Sequence, residues 1–222
     1  MRSLSHYDAL AALFDYPDVN YAARVEAARR SLGAAYPDAR AQLEIFEAAV
    51  RDATVTELQE VFTRSFDIQA ITTLSVGYLL FGDDYKRGEL LANLNREHRA
   101  AGVDCGCELS DHLPNVLRLL ARWPDHDLVT ELVQEVVRPA VERMIAEFAP
   151  ARMEQRNRLY AKHFKTLIAS SAERGTMFRE PLAALAAVLD RDFQRIERKP
   201  PARNNDFLES LGRELDIEEV KS

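Results

Sequence analysis

The chain has 222 residues, of which 47% are hydrophobic and 29% charged, with a formal net charge of -7. That length suits one substantial domain, and the acidic balance argues against nucleic acid, whose phosphates require a basic surface. No run of about 18 apolar residues occurs, so no stable membrane insertion is expected.

Residues 1–15 carry His6, Asp8 and Asp15 and lack a sustained apolar core, unlike a signal peptide. The two cysteines, Cys105 and Cys107, are one residue apart. A disulfide between such close neighbours would be strained, so a stapled secreted scaffold is not expected and the cytoplasm is the expected compartment.

Only 8 Gly and 9 Pro punctuate stretches rich in Ala, Leu, Glu and Arg, which predicts helix almost throughout. Tyr7, Leu10, Leu13 and Phe14 recur at helical spacing and stop at the turn residues 15–18. Helices are predicted over 21–32, ending at Gly33, and after Pro37, where Leu43, Phe46 and Val50 share a face. Thr54 or Thr56 caps the next, with Leu58, Phe62 and Phe66 at i, i+4, i+8. The apolar run 71–81 reads as a buried helix, with a short strand as the alternative.

A helix over 85–101 is predicted to turn Leu90, Leu91 and Leu94 inward and Lys86, Arg87, Arg96 and Arg99 outward. Gly102 ends it, residues 103–109 form a loop, and Leu113, Leu117 and Leu120 stripe the following helix up to Trp123-Pro124. Residues 125–137 form a helix buried on several sides, and Pro139 either kinks it or begins a new one carrying Met144, Ile145 and Phe148. Helices near 153–173 and 180–196 follow. The expectation is an all-α, single-domain bundle of about nine or ten helices over 1–196. A polar linker over 197–205 and a C-terminal amphipathic helix and tail over 206–222 complete it.

The densest polar cluster is Glu108, Ser110, Asp111 and His112, set before the apolar helix that begins at Leu113-Pro114. Capping alone explains one such residue. Four in five positions also suit a peptide's charged or backbone groups. His98, Cys105, Cys107 and His112 offer nitrogen and sulfur ligands, but Cys-x-Cys without a second pair is not structural-zinc spacing, and no metal is expected. No phosphate loop, nucleophile elbow or metalloprotease helix is present, so no catalytic residue is expected and the chain reads as a non-enzyme. Phe62 and Phe66 read as core packing.

The order Glu108, two residues, Asp111-His112-Leu113-Pro114, then an apolar helix, resembles the signature of the NarJ/TorD/DmsD family of molybdoenzyme assembly chaperones. Leu13-Phe14-Asp15-Tyr16-Pro17 resembles the family's early Leu-Phe-x-x-Pro element, and Phe62-Thr63-Arg64-Ser65-Phe66-Asp67 resembles a stretch of the NarJ branch, the nitrate reductase delta subunits. Residues 79–88 and 90–102 extend the likeness, which covers about 6–148. Ser110 departs from the branch's usual Pro, and the Cys105-Gly106-Cys107 loop matches nothing in the pattern.

The resemblance implies a cytoplasmic, all-helical, cofactor-free chaperone. Such a protein binds the N-terminal leader of a molybdoenzyme catalytic subunit and favours insertion of the molybdenum cofactor. Carried over by motif, the peptide-binding residues are Glu108, Asp111, His112, Leu113, Pro114 and Leu117, with Tyr85 and Phe81 as groove walls. Family members can swap segments between copies, so a homo-oligomer is allowed. The alternatives are a helical scaffold or regulatory protein-binding module without a molybdoenzyme client and, third, a thiol-based metal or redox protein built on the cysteine loop.

Overall fold

Helix signals and their stops lay out the chain in the computed structural model, which describes residues 3–163 and 175–194. α1 (His6–Ala11) runs into a 3-10 turn, Ala12–Phe14. α2 (Tyr21–Leu32) stops at Gly33, whose φ of +54° suits a residue without a Cβ. α3 (Pro37–Arg51) opens on proline, which needs no donor in the first turn. α4 (Val55–Phe66) begins with a capping box: Thr54 Oγ1 accepts the Glu57 N–H at 3.2 Å, and Glu57 accepts the Thr54 N–H at 2.7 Å.

The run 71–81 differs from its expected helix. Only α5 (Val76–Phe81) is helical. Residues 71–75 are not helical, and Ser75 forms an antiparallel bridge with His112. The Val76 N–H donates to Asp111 O at 2.9 Å, and the Leu113 N–H donates to Leu74 O at 2.8 Å. Two features favour this outcome. Ile71, Thr72 and Thr73 are β-branched, which disfavours helix. The N–H groups of Ile71 and Thr72 satisfy carbonyls left open at the end of α4, on Arg64 and Ser65, at 3.0–3.1 Å.

α6 (Tyr85–Ala101) is capped by Asp84, which accepts the Lys86 N–H at 2.9 Å, and ends at Gly102 with φ +65°. α7 (Leu113–Arg122) carries the most sharply segregated apolar face, and Leu113, Leu117 and Leu120 are buried as expected of a stripe. Asp125 caps α8 (His126–Leu132), which passes without a break into a π-helical turn, Val133–Val137, and then α9 (Arg138–Glu147). Pro139 therefore sits in the first turn of α9, one of the two placements expected of it, and the helical run continues through it. The wider π turn just before it makes room for a residue that lacks an N–H and crowds the carbonyl four positions back.

α10 (Pro150–His163) and α11 (Arg179–Asp192) complete the described helices. The remainder of the expected 153–173 helix, the linker over 197–205 and the tail helix lie outside the described residues. The molecule is an all-α bundle, with α3 packed along α11 and on α2, and α1 packed along α7. α9 contacts α11 and α5, while α6 contacts α5 and α7. No helix among the described residues is long and apolar enough to cross a membrane.

Candidate functional site

Three segments distant in sequence meet in a cleft of about 640 Å³. The 3-10 turn after α1 supplies Phe14, Asp15 and Tyr16; α4 and its end supply Phe62, Thr63, Phe66 and Asp67. The third wall is the loop before α7 with the first turns of that helix, contributing Asp104 to Glu108, His112, Asn115 and Arg118. Thr73, Leu74 and Ser75 fill the gap between α4 and α7.

The floor is aromatic. Tyr16 meets Phe62 edge-on at 5.5 Å between ring centroids, Phe62 meets Phe66 at 5.1 Å, and both reach Phe178 in the core at 5.2–5.4 Å. Such edge-to-face pairs fix ring orientation as well as burying area. Phe62 and Phe66 therefore serve two environments: each is 9% exposed, packed in the core with an edge on the cleft.

The rim is acidic. Asp15, Asp67, Asp104 and Glu108 line it against a single guanidinium, Arg118. That guanidinium is already engaged, its Nη2 donating to both Asp15 oxygens at 2.8 and 2.6 Å. The ion pair ties α7 to the turn after α1, leaving the other three carboxylates without a cation among the cleft-lining residues.

His112 lies half-buried between these carboxylates. Burial pushes its pKa below the ordinary imidazole value; the nearby Glu108, Asp111 and Asp15 carboxylates pull it back up, and Arg118 adds to the depression. The net direction is down, so the ring is neutral at pH 7.

The loop holding Asp104 and Glu108 is built by Asn115. Its Nδ2 donates to the carbonyls of Cys105 and Leu109, each at 3.2 Å, gathering both ends of the loop onto the first turn of α7. Behind it, the buried His98 ring places Nε2 3.2 Å from Asn115 O and Nδ1 2.7 Å from Leu94 O. His98 thus joins α6 to α7, with both ring nitrogens at backbone carbonyls. Among the described residues, no three His, Cys, Asp or Glu side chains gather at metal-binding distance.

Of the eight residues expected at a peptide site, Glu108 and His112 line the cleft and the other six lie outside it. Asp111 is fully buried, its Oδ2 accepting from Arg87 Nε at 3.1 Å while Oδ1 has no hydrogen-bond partner among the described residues. The backbone explains the split: His112 is extended, so consecutive side chains leave on opposite sides. Arg87, expected outward, is the corresponding correction on α6. Leu113, Pro114 and Leu117 are buried, the two leucines on the face that α7 turns to the core. Tyr85 is 71% exposed at the start of α6, and neither it nor the half-buried Phe81 lines the cleft.

Residues that the sequence reasoning did not assign to the site are Asp15, Tyr16, Phe62, Phe66, Asp67, Asp104, Asn115 and Arg118. Asp15, Tyr16, Phe62, Phe66 and Asp67 lie inside the quoted likeness stretches, which was the available signal. Asn115 and Arg118 carried none, since a polar residue on a helix has no sequence mark of its partner.

Chemically, the cleft can accept a cation on an apolar stem: carboxylates at the rim pair the charge, and aromatic edges below cover the methylenes. No protein-family model matches the chain, and no curated protein matches it.

Proposed function

We propose that this chain is a cytoplasmic assembly chaperone of the NarJ/TorD/DmsD kind. It captures the basic N-terminal leader of a molybdoenzyme catalytic subunit, most closely of the nitrate reductase type, and catalyses no reaction on that client. One observation carries the reading: the three stretches that resemble the family, residues 13–17, 62–67 and 108–114, lie far apart in the chain, yet each contributes side chains to one acidic, aromatic-floored cleft. A leader peptide with arginines between apolar residues complements that surface in both charge and hydrophobicity.

With Asp111 and the α7 leucines buried, the proposed contact falls on the rim carboxylates and the aromatic floor. In this reading Glu108 and His112 touch the peptide, while Asp111, Leu113 and Leu117 hold the wall in place. Affinity-tagged full chain, expressed in cells making a molybdenum reductase, is expected to retain its large catalytic subunit in cofactor-free form. Recovery of no such subunit from cells that contain it would reject the client class.

A further inference from the structure

The loop between α6 and α7 holds two thiols that peptide capture does not use. Both are free, and both line the cleft, with Cys107 exposed and Cys105 half-buried. The backbone between them is a tight turn. Gly106 adopts φ +61° and its N–H donates to Asp104 Oδ1 at 2.9 Å, while the Glu108 N–H returns to the Cys105 carbonyl at 3.2 Å.

Four residues turned this way span less than about 7 Å end to end. That draws positions two apart below their extended spacing, into the Cα separation of about 4.4–6.8 Å that a disulfide bridges. A Cβ at Gly106 would meet nothing within 4 Å, so its glycine is required by φ and not by crowding. Asn115 anchors the Cys105 carbonyl, leaving Cys107 as the more open of the two thiols.

We infer that Cys105 and Cys107 are a reversible dithiol–disulfide pair on the lip of the cleft, with a low-molecular-weight disulfide such as oxidised glutathione as co-reactant. The Cys107 thiolate attacks one glutathione sulfur, the glutathione S–S bond breaks, and one glutathione leaves as its thiolate. Cys105 Sγ, its proton lost to solvent, then attacks Cys107 Sγ and displaces the second glutathione. The protein gives up two electrons and two protons, and the glutathione disulfide is reduced to two glutathiones.

Exposure sets the order of attack. Burial, with Asp104 beside it, raises the Cys105 thiol above its ordinary pKa, which suits the partner that closes the ring rather than the one that starts it. The strain of so short a ring makes the bond labile and not structural, as a reversible pair requires. Asp104 and Glu108 flank the pair, so closure repositions two of the four rim carboxylates.

The test uses the full-length reduced chain, incubated without oxygen in excess oxidised glutathione. Both thiols are expected to disappear together on titration, with intact mass falling by two hydrogens and no glutathione retained. Dithiothreitol is expected to restore both. Cys105→Ser is expected to stop at a stable glutathione adduct on Cys107, and Cys107→Ser to react at least roughly tenfold more slowly. A retained glutathione on the unaltered chain, a disulfide-linked dimer, or two thiols surviving excess oxidant would each overturn the pair. These readouts need no peptide, so they stand or fall apart from the capture of a client.

Discussion

Gly77 and Gly88 sit on neighbouring helices and have opposite surroundings. A Cβ at Gly77 would lie 2.7 Å from Asp111 Oδ2 and 3.0 Å from Leu90 Cδ2, whereas one at Gly88 would meet nothing within 4 Å. Asp111 cannot simply yield, because Arg87 Nε holds that same oxygen and the Arg87 guanidinium also stacks on Tyr78, 5.2 Å from its ring centroid. Gly77→Ala is therefore expected to lower stability by about 1–3 kcal/mol, the cost of overpacking outweighing the helix-propensity gain. Gly88→Ala is expected to raise it by about 1 kcal/mol. Urea midpoints check both, and equal shifts for the two would contradict the close approach at Gly77.

His112 gives the residue scale a pH signature. Its folded pKa lies below the unfolded value near 6.5, so below that value the unfolded chain binds the proton more readily. The stability from keeping this ring neutral is complete above about pH 6.5 and is lost as pH falls toward the folded pKa. Against His112→Gln, the unaltered chain should lose stability faster between pH 7.5 and the mildly acidic range, in urea titrations spaced across the window. Parallel curves for the two proteins would remove His112 from the titrating groups.

At the scale of elements, the cleft depends on α4, which holds Phe62 and Phe66 on one face and is anchored by its capping box. Thr54→Ala removes the side-chain half of that box and is expected to cost about 1 kcal/mol. The measurement is thermal unfolding; an unchanged midpoint would mean the box contributes nothing. The Thr54 signal was legible in the sequence, as were Gly33, Pro37 and Gly102, because each acts through its own backbone.

What the sequence did not disclose depends on distant partners. The run 71–81 is apolar enough overall to read as a buried helix, and the β-branched residues 71–73 only weaken that reading. The open carbonyls of α4 and the pairing with residues 111–113, which turn 71–75 away from helix, lie elsewhere in the chain. The π turn before Pro139 keeps the valine pattern of a helix and so leaves no mark in the periodicity. The same reason limits the site. Glu108 and His112 were found because they stand in a polar cluster, while Arg118 looks like any helical arginine until Asp15 is brought beside it, 103 residues away in sequence.

At the scale of the molecule, long-range polar ties hold the first helix where the cleft needs it. Arg122 donates to both Asp8 oxygens at 2.7 and 2.9 Å, joining α7 to α1. His6 Nε2 lies 2.7 Å from Asp192 Oδ2, and Tyr36 OH donates to the other oxygen at 2.7 Å, joining α1 and the start of α3 to α11. The helix that leads into the turn carrying Asp15 and Tyr16 is thus tied to both α7 and α11. The outcome is a wall held by ion pairs beside an acidic rim, in a chain whose overall charge is also negative.

The central claim is that this rim captures a basic, partly apolar peptide. Calorimetric titration of an arginine-bearing molybdoenzyme leader peptide into the full chain tests it most directly, alongside Asp67→Lys/Glu108→Lys, which reverses two exposed rim charges. Binding that weakens with added salt and falls at least roughly tenfold in the double variant is expected. Equal affinity for the two proteins, or no binding to either, would contradict it.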